Sequence, residues 1–222
     1  MRYTDDLACH RIEGLIENFL PSKCHEFKAV LSLTKAQIMG SFPLHSLAAT
    51  TARWPMPGDM DIFLCPTTRS LMNRSVRVFS EFLKDCGYIR VRFENPLRDP
   101  LREPRFSQDP HQRMIGFHVI SFVKQVPPSF GRGSHMIQLI IHHGIDSNPE
   151  WNLRVMDGFD LSCCAVAYDG QSFFVSADNL HPTTQPVIIR HNHATTMTRV
   201  AKYLRRGFAF VLRTGIGSVR LR

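Results

Sequence analysis

The sequence predicts an α/β (α+β) protein: a mixed sheet with flanking helices. Three observations predict it. Helix-like and strand-like segments alternate over the first 93 residues, and strand hairpins follow them. The chain is 222 residues long, 43% hydrophobic and 21% charged, which is enough to bury a core without disulfides or metal. Turn residues (Pro, Gly and Asp-Gly) punctuate the segments at the intervals that such a layout needs.

Residues 5–20 predict a helix: Asp5 and Asp6 suit its N-terminus, Leu7, Ile12, Leu15, Ile16, Phe19 and Leu20 form a stripe, and Pro21 stops it. The run 36–40, AQIMG, reads as a short strand ending at Gly40. Residues 43–54 read as a helix with Ser41 near the cap and Pro43 in the first turn. The turn WPMPGD leads into a strand over 59–65, DMDIFLC. Residues 68–87 give the clearest helix, with Leu71, Val78, Phe79, Phe82 and Leu83 at helical spacing and Gly87 as a C-terminal cap. Residues 88–93 alternate like a half-exposed strand, and the Pro- and charge-rich stretch 94–114 reads as a long loop. Strands are expected at 117–123 and 135–143. A hairpin over 163–176 turns at Asp169-Gly170, a basic amphipathic helix lies within 193–208, and a last strand follows at FAFVLR. The domain reading is a core at 1–145 with a C-terminal hairpin and basic helical segment, 146–222, packed on it; a single unit spanning 1–222 is the alternative.

The net charge is +8, and the whole excess lies at one end. Beyond Asp178 there are eight Lys or Arg residues and no acid, whereas residues 1–178 carry 19 basic and 19 acidic groups. Such asymmetry points to a polyanionic partner, a nucleic acid or a nucleotide phosphate, against the plainer reading of a basic solvated face. The N-terminus has acids where a signal peptide needs an apolar core, and no run is long enough to span a membrane. Six cysteines without a Cys-x-x-Cys pair suggest reduced thiols in a cytoplasmic or nuclear compartment.

The motif that carries chemistry is Asp59-Met60-Asp61 with Gly40-Ser41 upstream. Alternate strand residues share a face, so Asp59 and Asp61 project together with Cα atoms roughly 7 Å apart. Two carboxylates so placed repel one another unless a cation lies between them. Oxygen ligands favour Mg²⁺ or Mn²⁺ over zinc. Gly40 at a strand end lets backbone approach a ligand, and the amide groups of the following helix, with the Ser41 hydroxyl, suit a phosphate. Either half of the pattern has a plainer reading, an acidic strand face for the aspartates and an ordinary turn and cap for Gly40-Ser41. Their combination is what points to phosphate chemistry. On the C-terminal helix, Arg199, Lys202 and Arg206 share a face at three/four spacing and are candidate phosphate contacts.

Gly-Ser at a strand end, a helix, then Asp-x-Asp on the next strand resembles the DNA polymerase beta superfamily of nucleotidyltransferases. The order of elements over roughly residues 5–143 is similar as well. FDLSCCAVAYDG and KYLRRGF resemble segments of viral and fungal proteins of that fold. The resemblance implies two metal ions with Asp59 and Asp61 as ligands, Gly40 and Ser41 at the phosphates, and a nucleoside triphosphate such as ATP as substrate. It also implies a third carboxylate on a neighbouring strand. Asp160 is the first candidate and Glu94 the second, because MIQLII offers only the neutral Gln138. The seventeen residues between Ser41 and Asp59 make a long gap for a compact member of the superfamily.

Two functions follow as expectations. One is metal-dependent transfer of NMP from NTP to an acceptor hydroxyl on nucleic acid or protein. The other is a catalytically inactive protein of the same fold that binds RNA or a protein partner. Zinc is disfavoured, since the adjacent Cys9-His10, Cys24-His25 and His142-His143 pairs match no zinc spacing. A serine or cysteine nucleophile is disfavoured because no Gly-x-Ser-x-Gly elbow occurs.

Overall fold

Asp5 caps α1 (Asp6–Phe19): its carboxylate accepts from the backbone N–H groups of Leu7 and Ala8, satisfying two donors the helix leaves open. The apolar stripe of α1 buries Ala8, Ile12, Leu15, Ile16 and Phe19. A second helix, α2 (Cys24–Thr34), follows where the sequence was given no element. Its signal was short, Phe27, Val30 and Leu31 at helical spacing, and Lys35 in the left-handed region (φ 52°) ends it. The computed structural model describes residues 2–3, 5–48, 54–66, 68–91, 117–125, 133–142, 151–176, 181–190, 196–214 and 217–221.

β2 (Gln37–Met39) runs into α3 (Ser41–Leu47), which is shorter than the expected 43–54 helix and has Gly40, not Ser41, at its N-cap. Ala48 leaves the helix with extended backbone, and 49–53 lie outside the described residues. β3 (Asp59–Leu64) and α4 (Arg69–Asp85) fall where expected. Gly87 (φ 83°) follows α4 with Tyr88 N donating to Leu83 O, the reverse turn that closes a helix at glycine. β4 (Ile89–Val91), β5 (Phe117–Gln125) and β6 (Ser134–His142) complete one half of the sheet. The 94–114 stretch lies outside the described residues.

The C-terminal segment supplies α5 (Trp151–Asp157), a single 3-10 turn at Ser162–Cys164, the hairpin β7 (Val166–Tyr168) and β8 (Phe173–Val175), then β9 (Val187–Ile188), α6 (Thr196–Leu204), β10 (Phe210–Thr214) and β11 (Gly217–Leu221). Cys163 and Cys164 therefore sit in a turn before the hairpin, not in its first strand. A short β1 (Arg2–Tyr3) pairs with β8.

The sheet has eight strands in the order β1-β8-β7-β2-β3-β6-β5-β4, and β9, β10 and β11 form a separate three-stranded sheet. Every neighbour in the large sheet is antiparallel except β3 and β6. The mixed α+β architecture expected from the sequence is thus present. Because β7 and β8 extend the sheet begun by β2 and β3, a break at 145 separates no two sheets. Val187, Val200, Tyr203, Phe208 and Phe210 also belong to the core formed by α1, α2 and α4.

One face of the central strands is apolar: Ile38, Met60, Ile62, Leu64, Ile137, Leu139 and Ile141 pack under the helices. The other face is divided. Met39, Phe63 and Ala167 bury against Met156 of α5, and Phe63 meets Phe159 edge-on at 5.8 Å. Along that same face of β3, two positions from Phe63 and four from it, stand Asp61 and Asp59. Among the described residues no helix is long and apolar enough to cross a membrane.

Candidate nucleotide and metal site

The pleat of β3 places Asp59 and Asp61 together while Met60 and Ile62 are fully buried beneath them. The register then selects their neighbours. Asp61 pairs with Met39 on one side and, through the parallel β3–β6 ladder, with Gln138 on the other; Asp59 stands beside Met136. Gln138 is held by its own neighbour, its Nε2 donating to Ser121 Oγ at 3.2 Å. That bond leaves the Gln138 amide oxygen, beside Asp61, as a further candidate oxygen ligand.

Gly40 lies against Asp61. A methyl group added at Gly40 would stand 4.0 Å from Asp61 Oδ2. Its φ of 87° and ψ of −134° belong to glycine, and its N–H is tied to Val166 O at 3.0 Å. The strand-to-helix turn is therefore rigid and presents bare backbone to the carboxylate. Pro43 occupies the first turn of α3, where its missing N–H costs no helical bond.

Asp61 is electrostatically strained. Its Oδ1 is buried and has no hydrogen-bond partner among the described residues. Burial, and then the neighbouring Asp59 carboxylate, push its pKa up to about 7; Arg199 and Lys202 oppose the shift. A buried acceptor lacking a donor, next to a second carboxylate, fits one divalent cation shared by Asp59 and Asp61. Among the described residues no group of three His, Cys, Asp or Glu side chains gathers to hold a metal ion.

Asp160, expected to supply the third carboxylate, is otherwise engaged. It is 2% exposed, accepts from Thr196 Oγ1 at 3.0 Å through Oδ2, and pairs with Arg199 through Oδ1. A carboxylate saturated by a guanidinium and a hydroxyl is a structural ion pair, and the expectation of Asp160 as a metal ligand is corrected accordingly. Glu94 lies outside the described residues.

The basic residues of α6 divide in a way their spacing could not reveal. Arg199 spends its fork on Asp160 and, through Nη2 at 3.3 Å, on Cys164 Sγ. Arg206 lies over two rings, 5.5 Å from the Trp54 centroid and 5.1 Å from that of Tyr203, while Trp54 Nε1 donates to Arg206 O at 3.0 Å. Lys202 reaches solvent and is the α6 cation on which Asp59 acts. Partial desolvation of its stem and the nearby Arg206 lower its pKa, and Asp59 raises it. The face expected to hold a phosphate thus contains one exposed ammonium between two arginines held by protein partners.

Sequence reasoning named Gln138 only as the neutral residue of MIQLII, not as the residue paired with Asp61, and it missed the cluster of Cys164, Thr196 and Tyr203 around Arg199. The adjacent cysteines were visible, but nothing local shows that Cys164 Sγ sits 3.2 Å from Tyr203 Oη. No family model matches the chain, and no curated protein matches it.

Proposed function

We propose that the Gly40–Asp61 face binds a nucleoside triphosphate together with Mg²⁺ or Mn²⁺ and transfers its nucleotidyl group to an acceptor hydroxyl, which breaks the α–β phosphoanhydride bond and releases pyrophosphate. The observation that carries this reading is the buried, unpartnered Oδ1 of Asp61 beside Asp59 and the bare backbone of Gly40. Asp59 and Asp61 would hold the cation, with Gln138 Oε1 as a neutral third oxygen. A bound divalent ion supplies charge neutralisation of the triphosphate, polarisation of the α-phosphorus and a lower pKa for the acceptor hydroxyl. Gly40 and the Ser41 hydroxyl, at the start of α3, would be the phosphate contacts. Lys202 adds a cation across from Asp59, and Ser121 orients the Gln138 amide.

The test is transfer of label from α-labelled NTPs, with Mg²⁺ or Mn²⁺, into mixed RNA or protein acceptors. Asp59→Ala and Asp61→Ala should each abolish incorporation while the fold persists. Unchanged turnover in either variant rules the assignment out.

A second reading has its own support: Gln138 stands where a third acid would stand, and Asp160 is consumed by Arg199. On this reading the chain is an inactive relative of the fold whose basic C-terminal segment binds RNA. Salt-sensitive RNA binding without incorporation selects it.

A further inference from the structure

Beneath α6 lies a buried cluster of mutually bonded polar side chains that the transfer chemistry leaves unused. Asp160 and Cys164 lie at either end of a short segment, Asp160 leading into the isolated bridge between Leu161 and Ile189, and Cys164 closing the 3-10 turn. Both are buried, at 2% and 0% exposure. Ser162 Oγ accepts from Ile188 N at 2.9 Å and Asp160 O accepts from Arg190 N at 2.8 Å, so the segment is tied to the backbone behind it. Toward α6 it presents a carboxylate and a sulfur. Thr196, Arg199 and Tyr203, on one face at i, i+3 and i+7, answer with a hydroxyl, a guanidinium fork and a phenol.

Four polar contacts from three residues thus span two turns of a nine-residue helix. The helix has few other anchors on this side: its buried residues are Thr196, Val200 and Tyr203. Lys202 sits between Arg199 and Tyr203 in the chain, is exposed, and carries its Nζ over the Tyr203 ring, 6.0 Å from the centroid. Arg199, Lys202 and Cys164 all lie within electrostatic reach of Asp61, so the cluster borders the acidic face directly.

We propose that Asp160, Thr196 and Cys164 form a buried latch that acts through Arg199 to fix α6, setting Lys202 over the Asp59–Asp61 pair as a triphosphate contact. Asp160 is then a positioning residue, and Arg199 is a structural tether that meets no phosphate. The triphosphate half of this inference rests on the function proposed above; the latch half does not.

Two measurements on the full chain separate the halves. The first is native-state alkylation of Cys163 and Cys164 by N-ethylmaleimide, followed by mass spectrometry. Both thiols are closed off in the wild type, and Cys164 is covered by Arg199 and Tyr203 of α6, so labelling of Cys164 reads the lifting of α6. Thr196→Val removes one hydroxyl donor at nearly constant shape, and Asp160→Asn removes the charge. Each should speed labelling about tenfold or more, with Thr196→Val keeping the wild-type urea midpoint to within about a tenth. Unaltered labelling in both variants overturns the latch.

The second measurement is the affinity for a ribose-labelled fluorescent ATP with Mg²⁺. Asp160→Asn and Lys202→Met should each weaken binding about tenfold, and the double variant should be no weaker than the poorer single one. Multiplying losses overturn the coupling to Lys202. Weakened binding of Mn²⁺ alone by Asp160→Asn also overturns it, since that result makes Asp160 a metal ligand. If the wild type binds no labelled ATP while labelling rises in the variants, the nucleotide reading fails and the latch stands.

Discussion

Asp61→Asn should stabilise this protein at neutral pH while destroying the function proposed for it. The Asp61 carboxyl has a reference pKa of 3.8, raised to about 7 in the fold by burial and by Asp59. A raised carboxylate pKa means that the folded state holds a proton which the unfolded chain has released. Stability associated with Asp61 is therefore complete below pH 3.8 and is lost as pH rises through about 7. At about 1.4 kcal/mol per pH unit, the loss reaches at most about 4 kcal/mol. The asparagine amide brings a buried donor of its own, which costs roughly 1–3 kcal/mol if it finds no acceptor. The net gain at pH 8 is about 2 kcal/mol, or roughly 4–8 °C in a chain of this size. Urea denaturation in chelator at pH 4, 6 and 8 reads it directly. The difference between variant and wild type should grow from pH 4 to pH 8, because the remaining acids cancel in the comparison. Adding Mg²⁺ should stabilise the wild type and leave Asp61→Asn where it was. A variant no more stable than the wild type at pH 8, or a difference that ignores pH, refutes the argument that Asp61 is held at electrostatic cost for a cation.

Three further outcomes follow from other contacts. His45 is buried, its Nδ1 is unpartnered, and burial with the charge of Arg206 lowers its pKa to about 4 from 6.5. The unfolded chain thus binds the extra proton between those values, and stability falls with acidification through pH 6.5 toward 4, by up to about 3 kcal/mol. His45→Gln should flatten that part of a denaturation-versus-pH curve. Gly40→Ala has room beside Asp61 but forces an alanine to φ 87°, so a loss of about 1–3 kcal/mol in urea unfolding is expected, along with weaker nucleotide binding. Trp54→Leu removes the donor to Arg206 O and the ring beneath its guanidinium; thermal unfolding should drop by about 2 kcal/mol, with Arg206 more readily cleaved by trypsin.

Much of the fold was legible because its signals are local. The Asp5 cap, the stripe of α1, the Thr68 start and Gly87 close of α4, and the Asp169-Gly170 turn all lie within a few residues of the structure they specify. Where a signal was diluted, the reading failed. Only two positions of α2 are buried, Phe27 and Leu31, so its periodicity is faint. α3 ends about two turns early, and its cap passes to Gly40 because the backbone conformation there is one only glycine adopts readily. The hairpin prediction extended too far back because Cys163 and Cys164, apolar and adjacent, look like strand residues but form a turn.

Within the candidate site the same division holds. That Asp59 and Asp61 share a face follows from the pleat alone, and Gly40 as a point of close approach follows from its lack of a side chain. Those two facts were written in the chain. Which residue flanks Asp61 was not, since the parallel β3–β6 register that brings up Gln138 spans 77 positions of sequence. Nor could spacing on α6 tell Lys202 from Arg199 or Arg206. A helical wheel gives each a direction, but burial decides which cation is consumed by a carboxylate 39 residues away, which is trapped between aromatic rings, and which is left to face the acids. Periodicity sets orientation over one or two turns; partners across the fold are chosen by packing, where desolvation makes an unpaired charge too costly to leave alone.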